Sequence, residues 1–157
     1  MNDLNTEVLE KSLETFGQHS NTLSQLQILI QLGRNYQAKR QYQKALNYFR
    51  QTLDLVKGQS NHDYRIIAKV NIGCVYWEMS QLKKAMGFFQ EALPIIEKLG
   101  DDAGRRMLCA TMGISYWRKG EWFAAFDWFK KALEGCQISE INTEQLIDPL
   151  KYGGWVS

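Results

Sequence analysis

Residues 72–93 read IGCVYWEMSQLKKAMGFFQEAL. The same outline stands earlier, as LGRNYQAKRQYQKALNYFRQTL at 32–53, and again later, as MGISYWRKGEWFAAFDWFKKAL at 112–133, a step of 40 each time. Gly33, Gly73 and Gly113 share one register, and Tyr36, Tyr76 and Tyr116 another. So do Ala45, Ala85 and Ala125, then Phe49, Phe89 and Phe129, then Leu53, Leu93 and Leu133. Five positions kept through three copies mark a stacked repeat, in which each unit buries its apolar face against the next. Such a chain works through a surface, which directs the search for function to a binding face rather than a catalytic pocket.

Within each copy the apolar residues follow helical spacing. Ile66, Ile67 and Val70 lead to Ile72, Tyr76 and Trp77 along one amphipathic helix. After a break near Ser80, a second helix carries Leu82, Ala85, Met86, Phe89, Ala92, Leu93 and Ile96. Each unit is thus helix A, a tight turn and helix B. The A helices are expected near 21–38, 61–79 and 101–119, and the B helices near 41–57, 81–98 and 121–136. Ser20-Asn21, Ser60-Asn61 and Gly100-Asp101 keep the step at the helix starts, where Asn and Asp side chains accept free amides of the first turn. The glycine lets helix B of the same unit approach helix A, the alanine supplies the hollow opposite, and Tyr and Phe are expected to fill the space between units. Pro94 removes one backbone bond inside a B helix, so a kink is expected there.

The units are read as 21–57, 61–98 and 101–136 in a single domain over 1–157. Residues 4–17 align 40 before the first B helix, with Leu9 under Phe49 and Leu13 under Leu53, and read as the B helix of a partial unit. Residues 141–157 hold either a capping helix ended by Asp148-Pro149, followed by a tail, or a frayed end throughout.

Composition is that of an ordinary soluble globular chain, 45% hydrophobic and 23% charged, with two prolines. The net charge of +2 is uneven. Residues 1–21 carry −3, residues 140–157 carry −2, and the body between carries +7. That suits an acidic partner, or the acidic end of another copy, and falls far short of the basic stripe of a nucleic-acid binder. Cys74, Cys109 and Cys136 are too few and too dispersed for a disulfide framework or a zinc site, and read as reduced apolar residues of a cytoplasmic protein. The N-terminus lacks the basic-then-apolar pattern of a signal peptide, and no apolar run approaches a membrane span.

Leu32-Gly33, Tyr36, Ala45 and Phe49, with Ile72-Gly73, Tyr76, Ala85, Phe89 and Ala92, and Met112-Gly113, Tyr116, Gly120, Ala125, Phe129 and Ala132, resemble the tetratricopeptide repeat signature over about residues 22–139. The usual unit of that family is shorter, about 34 residues. The step of 40 resembles the longer variant of kinesin light chain and of Leu-Gly-Asn-type polarity adaptors. Thr52 stands where the family has a small Ala, and the family proline after helix B is absent. The resemblance implies an all-α fold, a right-handed superhelical α-solenoid of antiparallel helix pairs whose concave face is lined by the A helices.

By the same resemblance, a peptide-binding groove would be lined by Gln27, Ile30, Gln31, Arg34 and Gln37 in the first unit. The second would supply Ile67, Val70, Asn71, Cys74, Trp77 and Glu78, and the third Met107, Ala110, Thr111, Ile114, Trp117 and Arg118. Trp77 and Trp117 share a register and read either as anchors with one exposed face or as core. Asn71 offers a donor and an acceptor to a peptide backbone. Chaperone-binding members of the family grip a C-terminal carboxylate with Lys, Asn and Arg. Here Ile30, Val70 and Ala110 stand where such a clamp would begin, which argues against one and for an amphipathic helix or an extended segment with apolar anchors. Lys83-Lys84 and Lys130-Lys131 read as solvated outer faces.

Nothing in the chain has catalytic spacing. His19 and His62 sit at caps, and there is no phosphate loop, metal-binding Cys pair or nucleophile elbow. The expectation is a non-enzymatic protein without cofactor or metal, cytoplasmic, binding another protein and neither nucleic acid nor membrane. Two readings follow. One is an adaptor that takes a partner's peptide or helix in the groove. The other is a self-assembling element, a homo-oligomer joined head to tail through its partial terminal units.

Overall fold

The missing Cβ of each register glycine is occupied by a ring of its own unit. A Cβ on Gly73 would stand 2.5 Å from the Phe89 ring, and one on Gly113 would stand 2.5 Å from Phe129; Gly33 meets Phe49 in the same way. This corrects the expectation for phenylalanine: its ring closes the gap inside the helix pair, against the glycine. The computed structural model describes residues 2–16, 22–59 and 62–135. These form α1 (Asn2–Phe16), α2 (Thr22–Ala38), α3 (Tyr42–Leu55), α4 (His62–Glu78), α5 (Leu82–Leu99), α6 (Asp102–Arg118) and α7 (Trp122–Leu133). The fold is an all-α solenoid. α2 pairs with α3, α4 with α5 and α6 with α7, and each pair stacks on the next, with α2 also touching α4. The capping helix or tail placed at 141–157 lies outside the described residues.

Each pair reverses direction through the same backbone device. Arg40, Ser80 and Gly120 adopt left-handed φ values of 58°, 60° and 78°. The amides of Gln41, Gln81 and Glu121 then donate to the carbonyls of Tyr36, Tyr76 and Tyr116 at 2.9, 2.8 and 3.0 Å. Those of Arg40, Ser80 and Gly120 donate to Gln37, Trp77 and Trp117 at 2.9, 3.0 and 3.0 Å. This paired closure satisfies helix-end carbonyls and fixes the entry of helix B. Only the third copy places glycine at the left-handed residue; arginine and serine hold it at a cost of about 1–2 kcal/mol. At the helix starts, Asp101 caps α6 by accepting from the Gly104 amide at 2.9 Å. The caps placed at Asn21 and Asn61 lie outside the described residues. α5 continues through Pro94, which is exposed.

The core runs along the stack: Leu32, Leu46 and Phe49, then Ile72, Val75 and Phe89, then Leu108 and Met112, with Leu9 and Leu13 of α1 packed against it. Thr52 is fully buried, and its hydroxyl donates to the Tyr48 carbonyl at 3.1 Å, so the departure from alanine leaves no orphan polar group. Between units the register tyrosine makes a bond whose sense changes. The Tyr36 hydroxyl donates to Glu10 at 2.5 Å, whereas the Tyr76 hydroxyl accepts from Arg50 Nη2 at 2.8 Å. Glu10 and Arg50 are themselves one step of 40 apart. Tyr48 also donates to Glu10 at 3.2 Å. Burial first, then the Glu10 charge and this bond, push the Tyr48 phenol above its ordinary range. At the far end, Arg105 donates to the carbonyls of Lys131 and Glu134 at 2.7 and 2.9 Å and ties off α7.

Candidate functional site

The A helices carry the groove positions, and the structure sorts them into three groups. Gln27, Gln31, Arg34, Glu78, Met107, Ile114, Trp117 and Arg118 are exposed. Gln37, Ile67, Val70, Asn71, Cys74, Trp77, Ala110 and Thr111 are half-buried. Ile30 is 6% exposed and belongs to the core. Its place on a groove wall is corrected, because its side chain is taken up by the core and is not open to a ligand.

Three of the polar positions are engaged within their own helix. Asn71 Nδ2 donates to the Ile67 carbonyl at 2.7 Å, and Thr111 Oγ1 donates to Met107 at 2.9 Å, each four residues back. Asn71 therefore keeps its second N–H and its amide oxygen, one donor and one acceptor, outside that bond. Gln31 Nε2 donates to Asn35 at 2.9 Å.

Side-chain contacts join the C-terminal ends of the three A helices. Gln37 of α2 donates to Glu78 of α4 at 2.5 Å. The Trp77 indole N–H donates to the buried Ser115 hydroxyl of α6 at 3.1 Å, and Ser115 in turn donates to the Thr111 carbonyl at 2.8 Å. The Arg118 guanidinium lies over the Trp77 ring, 4.8 Å from its centroid. Trp77, Glu78 and Arg118 line a cavity of about 430 Å³ together with Arg40 and Tyr42, which belong to the first turn and the start of α3. Arg40 and Tyr42 are absent from the sequence-derived set, because the turn lies beyond the A helix from which those positions are counted.

Trp117 repeats the position of Trp77 in different surroundings. It packs edge-on to Trp122 at 4.6 Å and to Phe126 at 6.3 Å, and stays exposed. Trp122 and Phe126 are also outside the sequence-derived set. Their signal is the register itself: Phe126 stands where Leu46 and Met86 are buried, and no described helix follows α7 to cover it.

Burial, reinforced by the Glu78 charge, holds the Cys74 thiol above its ordinary range, and burial does the same for Cys109. His19 and Cys136 lie outside the described residues. Among the described residues no group of three or more His, Cys, Asp or Glu is placed to hold a metal, and no helix is long and apolar enough to cross a membrane.

Residues 24–98 match the model of the tetratricopeptide repeat family. None of the curated proteins compared matches the chain in sequence. Among solved structures, the apo form of RapI is similar with a TM-score of 0.77 at 20% identity, over 84% of this chain and 48% of that one. BtubC (BKLC) from P. vanneervenii is similar with a TM-score of 0.74 at 15% identity, over 89% of this chain and 59% of that one. The Rap conjugation gene regulator of plasmid pLS20, solved in complex with the Phr* peptide, is similar with a TM-score of 0.68 at 19% identity, over 90% of this chain and 40% of that one. The chain spans between two fifths and three fifths of the length of these structures, and the likeness at this identity is one of fold.

Proposed function

We propose, for a chain whose residues 24–98 match the tetratricopeptide repeat model, that it is a protein-interaction module which binds a peptide or an amphipathic helix of a partner along the A-helix face. The observation that carries this reading is on α6. Met107, Ile114 and Trp117 are 60%, 44% and 48% exposed, a row of large apolar side chains on an A helix that no described helix covers. Monomeric surfaces rarely keep such a row without a use. The body charge of +7 favours an acidic partner. One similar structure, the Rap regulator of pLS20, holds a peptide, which lends support by analogy of fold. The test is selection of binding peptides from a random display library on the full chain, followed by affinity measurement. Ile114→Ser with Met107→Ser weakens the selected peptides at least tenfold with an unchanged helical signal, while Lys83→Ser on the outer face does not. Peptides that bind the double variant as well as the parent would move the site off this face.

A second reading, head-to-tail association, draws on the open face of α7. Phe126 is 62% exposed at a position where Leu46 and Met86 are 1% and 7% exposed. The occupant is α1 of a second copy. That helix exposes Leu4 and Val8 and lies in the acidic stretch 1–21, whereas α7 ends in Lys130 and Lys131. Light scattering across a dilution series decides: mass rising with concentration, and falling back with Phe126→Ser, supports it, and a monomer at every concentration sinks it.

A further inference from the structure

We propose that residues 141–157 form the A helix of a shared unit, seated on α7 of their own chain and covered on the other side by α1 of a second copy. The inference rests on the head-to-tail reading above and names the element that joins its two faces.

Chain neighbours in the stack alternate in type: the B-register helix α1 meets the A helix α2, α2 meets α3, and so on to α6 with α7. Both ends of the described stack are thus B-register helices, and among the described residues neither has an A helix on its outer side. On α7, Phe126 and Leu133 are 62% and 63% exposed. Their counterparts Met86 and Leu93 on α5, which α6 follows, are buried and half-buried. On α1, Leu4 and Val8 are 75% and 55% exposed. Their counterparts on α3 and α5 lie against the register tyrosine of their own A helix. Tyr36 takes Lys44 at 5.0 Å and Tyr48 at 5.6 Å, and Tyr76 takes Lys84 at 5.2 Å and Phe88 at 5.8 Å. Asn5 is likewise exposed where Ala45, Ala85 and Ala125 are buried. A joint of α7 directly on α1 would set B on B, whereas an A helix between them restores the alternation.

The sequence after α7 carries A-type residues in register. Leu146, Leu150, Tyr152 and Gly153 stand two steps of 40 beyond Ile66, Val70, Ile72 and Gly73, and Val156 stands at the place of Tyr76. That last replacement matches the α1 face. The inner units set a cation and a ring on the tyrosine, whereas Leu4 and Val8 offer apolar carbon to a valine. Leu146 and Leu150 supply the apolar area that would take Phe126 and Leu133 out of water. Asp148 and Pro149 depart from the pattern, at the places of Ala68 and Lys69, and α5 already carries one proline inside a helix.

Charge is compatible with this joint. Residues 140–157 carry −2, and α7 ends in Lys130 and Lys131. Two acids of α1 are turned away from its open side: Glu10 accepts from Tyr36 and Tyr48, and Glu7 borders a cavity with Lys39 and Lys44. Pro149 and the Gly153-Gly154 pair give this stretch little helix propensity of its own. Packing on two sides must supply what propensity does not, so helix formation and association are coupled.

The experiment follows the mass and the helical signal of the full chain across a dilution series. Both are expected to rise together with concentration. Leu146→Ser with Leu150→Ser is expected to raise the association midpoint by about tenfold or more, and Leu4→Ser with Val8→Ser to do the same. The dilute variants are checked for an unchanged melting temperature. Mixed in equal amounts, the two double variants retain one intact joint, the segment of one with the α1 of the other, and are expected to stop at a pair. A mixture that stays monomeric while the parent associates overturns the shared unit. A segment variant that associates as the parent does also overturns it, and leaves the head-to-tail reading standing with α7 directly on α1. One that associates at lower concentration than the parent overturns it too, because the segment then shields α7 from α1. A parent that is monomeric throughout removes the head-to-tail reading, and the shared unit with it.

Discussion

Trp77 and Trp117 occupy the same register one repeat apart, and the stack gives them opposite fates. Trp77 has a unit on either side: its indole bonds forward to Ser115, its ring is roofed by Arg118, and it is half-buried. Trp117 belongs to the last described unit and leans on Trp122 and Phe126, both exposed. The contrast runs through the helix pair. Met86 is buried where Phe126 is open, and Phe89 is fully buried where Phe129 is half-buried. In a one-dimensional array a side chain is made core or surface by what stacks on it, not by its own identity. Among the described residues, the second unit is covered on both sides, whereas the third leaves the same repeat positions open.

The largest test of that contrast is paired truncation. Phe89→Ala removes a ring that fills the space over Gly73 and is expected to cost about 3–5 kcal/mol. Phe129→Ala removes the equivalent ring over Gly113, already half-open to water, and is expected to cost about half as much. Urea unfolding of the two variants measures the difference. Equal losses would mean that the third unit is packed as tightly as the second.

Filling the glycine position probes the same gap from the other side. Gly73→Ala gains about 1 kcal/mol of helix propensity, yet its Cβ would lie 2.5 Å from the Phe89 ring. Overpacking of this kind costs about 1–3 kcal/mol and more where the ring has no room to retreat. The expected net loss is up to about 2 kcal/mol, less than for Phe89→Ala. Gly113→Ala loses less still, because Phe129 has an open side to move into. A shift in melting temperature that is larger for Gly113→Ala than for Gly73→Ala would reverse the ordering.

How much of this the chain discloses depends on whether a feature repeats. Helix pairs and their direction follow from a step kept three times, and the structure carries them; that each register phenylalanine closes on the glycine of its own unit does not follow from the step, which says only that the two positions recur together. What distinguishes the units is set by residues that break the step. Ser115 stands where the second unit has Val75 and the first has Asn35, so the bond that fixes Trp77 leaves no periodic trace. The left-handed turn is legible as glycine only at Gly120; Arg40 and Ser80 adopt it under the demand of the closing backbone bonds. Ile30 is legible as an A-helix face residue but not as core, because which side of α2 is covered is settled only by the packing of the stack. Arg40 and Tyr42 escape because they lie in the turn and at the start of α3, beyond the A helix from which groove positions are counted. They join Trp77 and Arg118 only once three units are stacked.

A finer comparison is Ser115→Ala. It leaves the Trp77 indole N–H without its 3.1 Å acceptor, half-buried. Loss of one such bond costs about 1 kcal/mol, less than either packing change. The indole N–H resonance of Trp77 is expected to exchange faster with solvent, while that of Trp117 stays as it was. An unaltered Trp77 exchange rate would mean that Arg118 alone fixes the ring.

The smallest effect concerns Cys74, which stands at the register of exposed Ile114. Burial, then the Glu78 charge, raise its thiol above the ordinary value of 9.0. The sign follows from proton counting. Below that value both folded and unfolded thiols are protonated, and the shift contributes nothing to pH dependence. As pH climbs past it, the unfolded chain releases a proton that the folded chain still holds, so stability falls with rising pH. Cys109 is raised by burial as well and adds to the same slope. The Tyr48 phenol is raised too, so the informative quantity is the difference between variant and parent, not the parent's slope alone. Cys74→Ala is expected to flatten the decline of the urea midpoint between about pH 8 and pH 10 by a small but measurable fraction. Cys74→Ala in a Glu78→Gln background should flatten it less, since the second cause of the shift is already gone. Parallel declines in Cys74→Ala and the parent would show that the second unit does not hold this thiol away from water as its register mate in the third is left exposed.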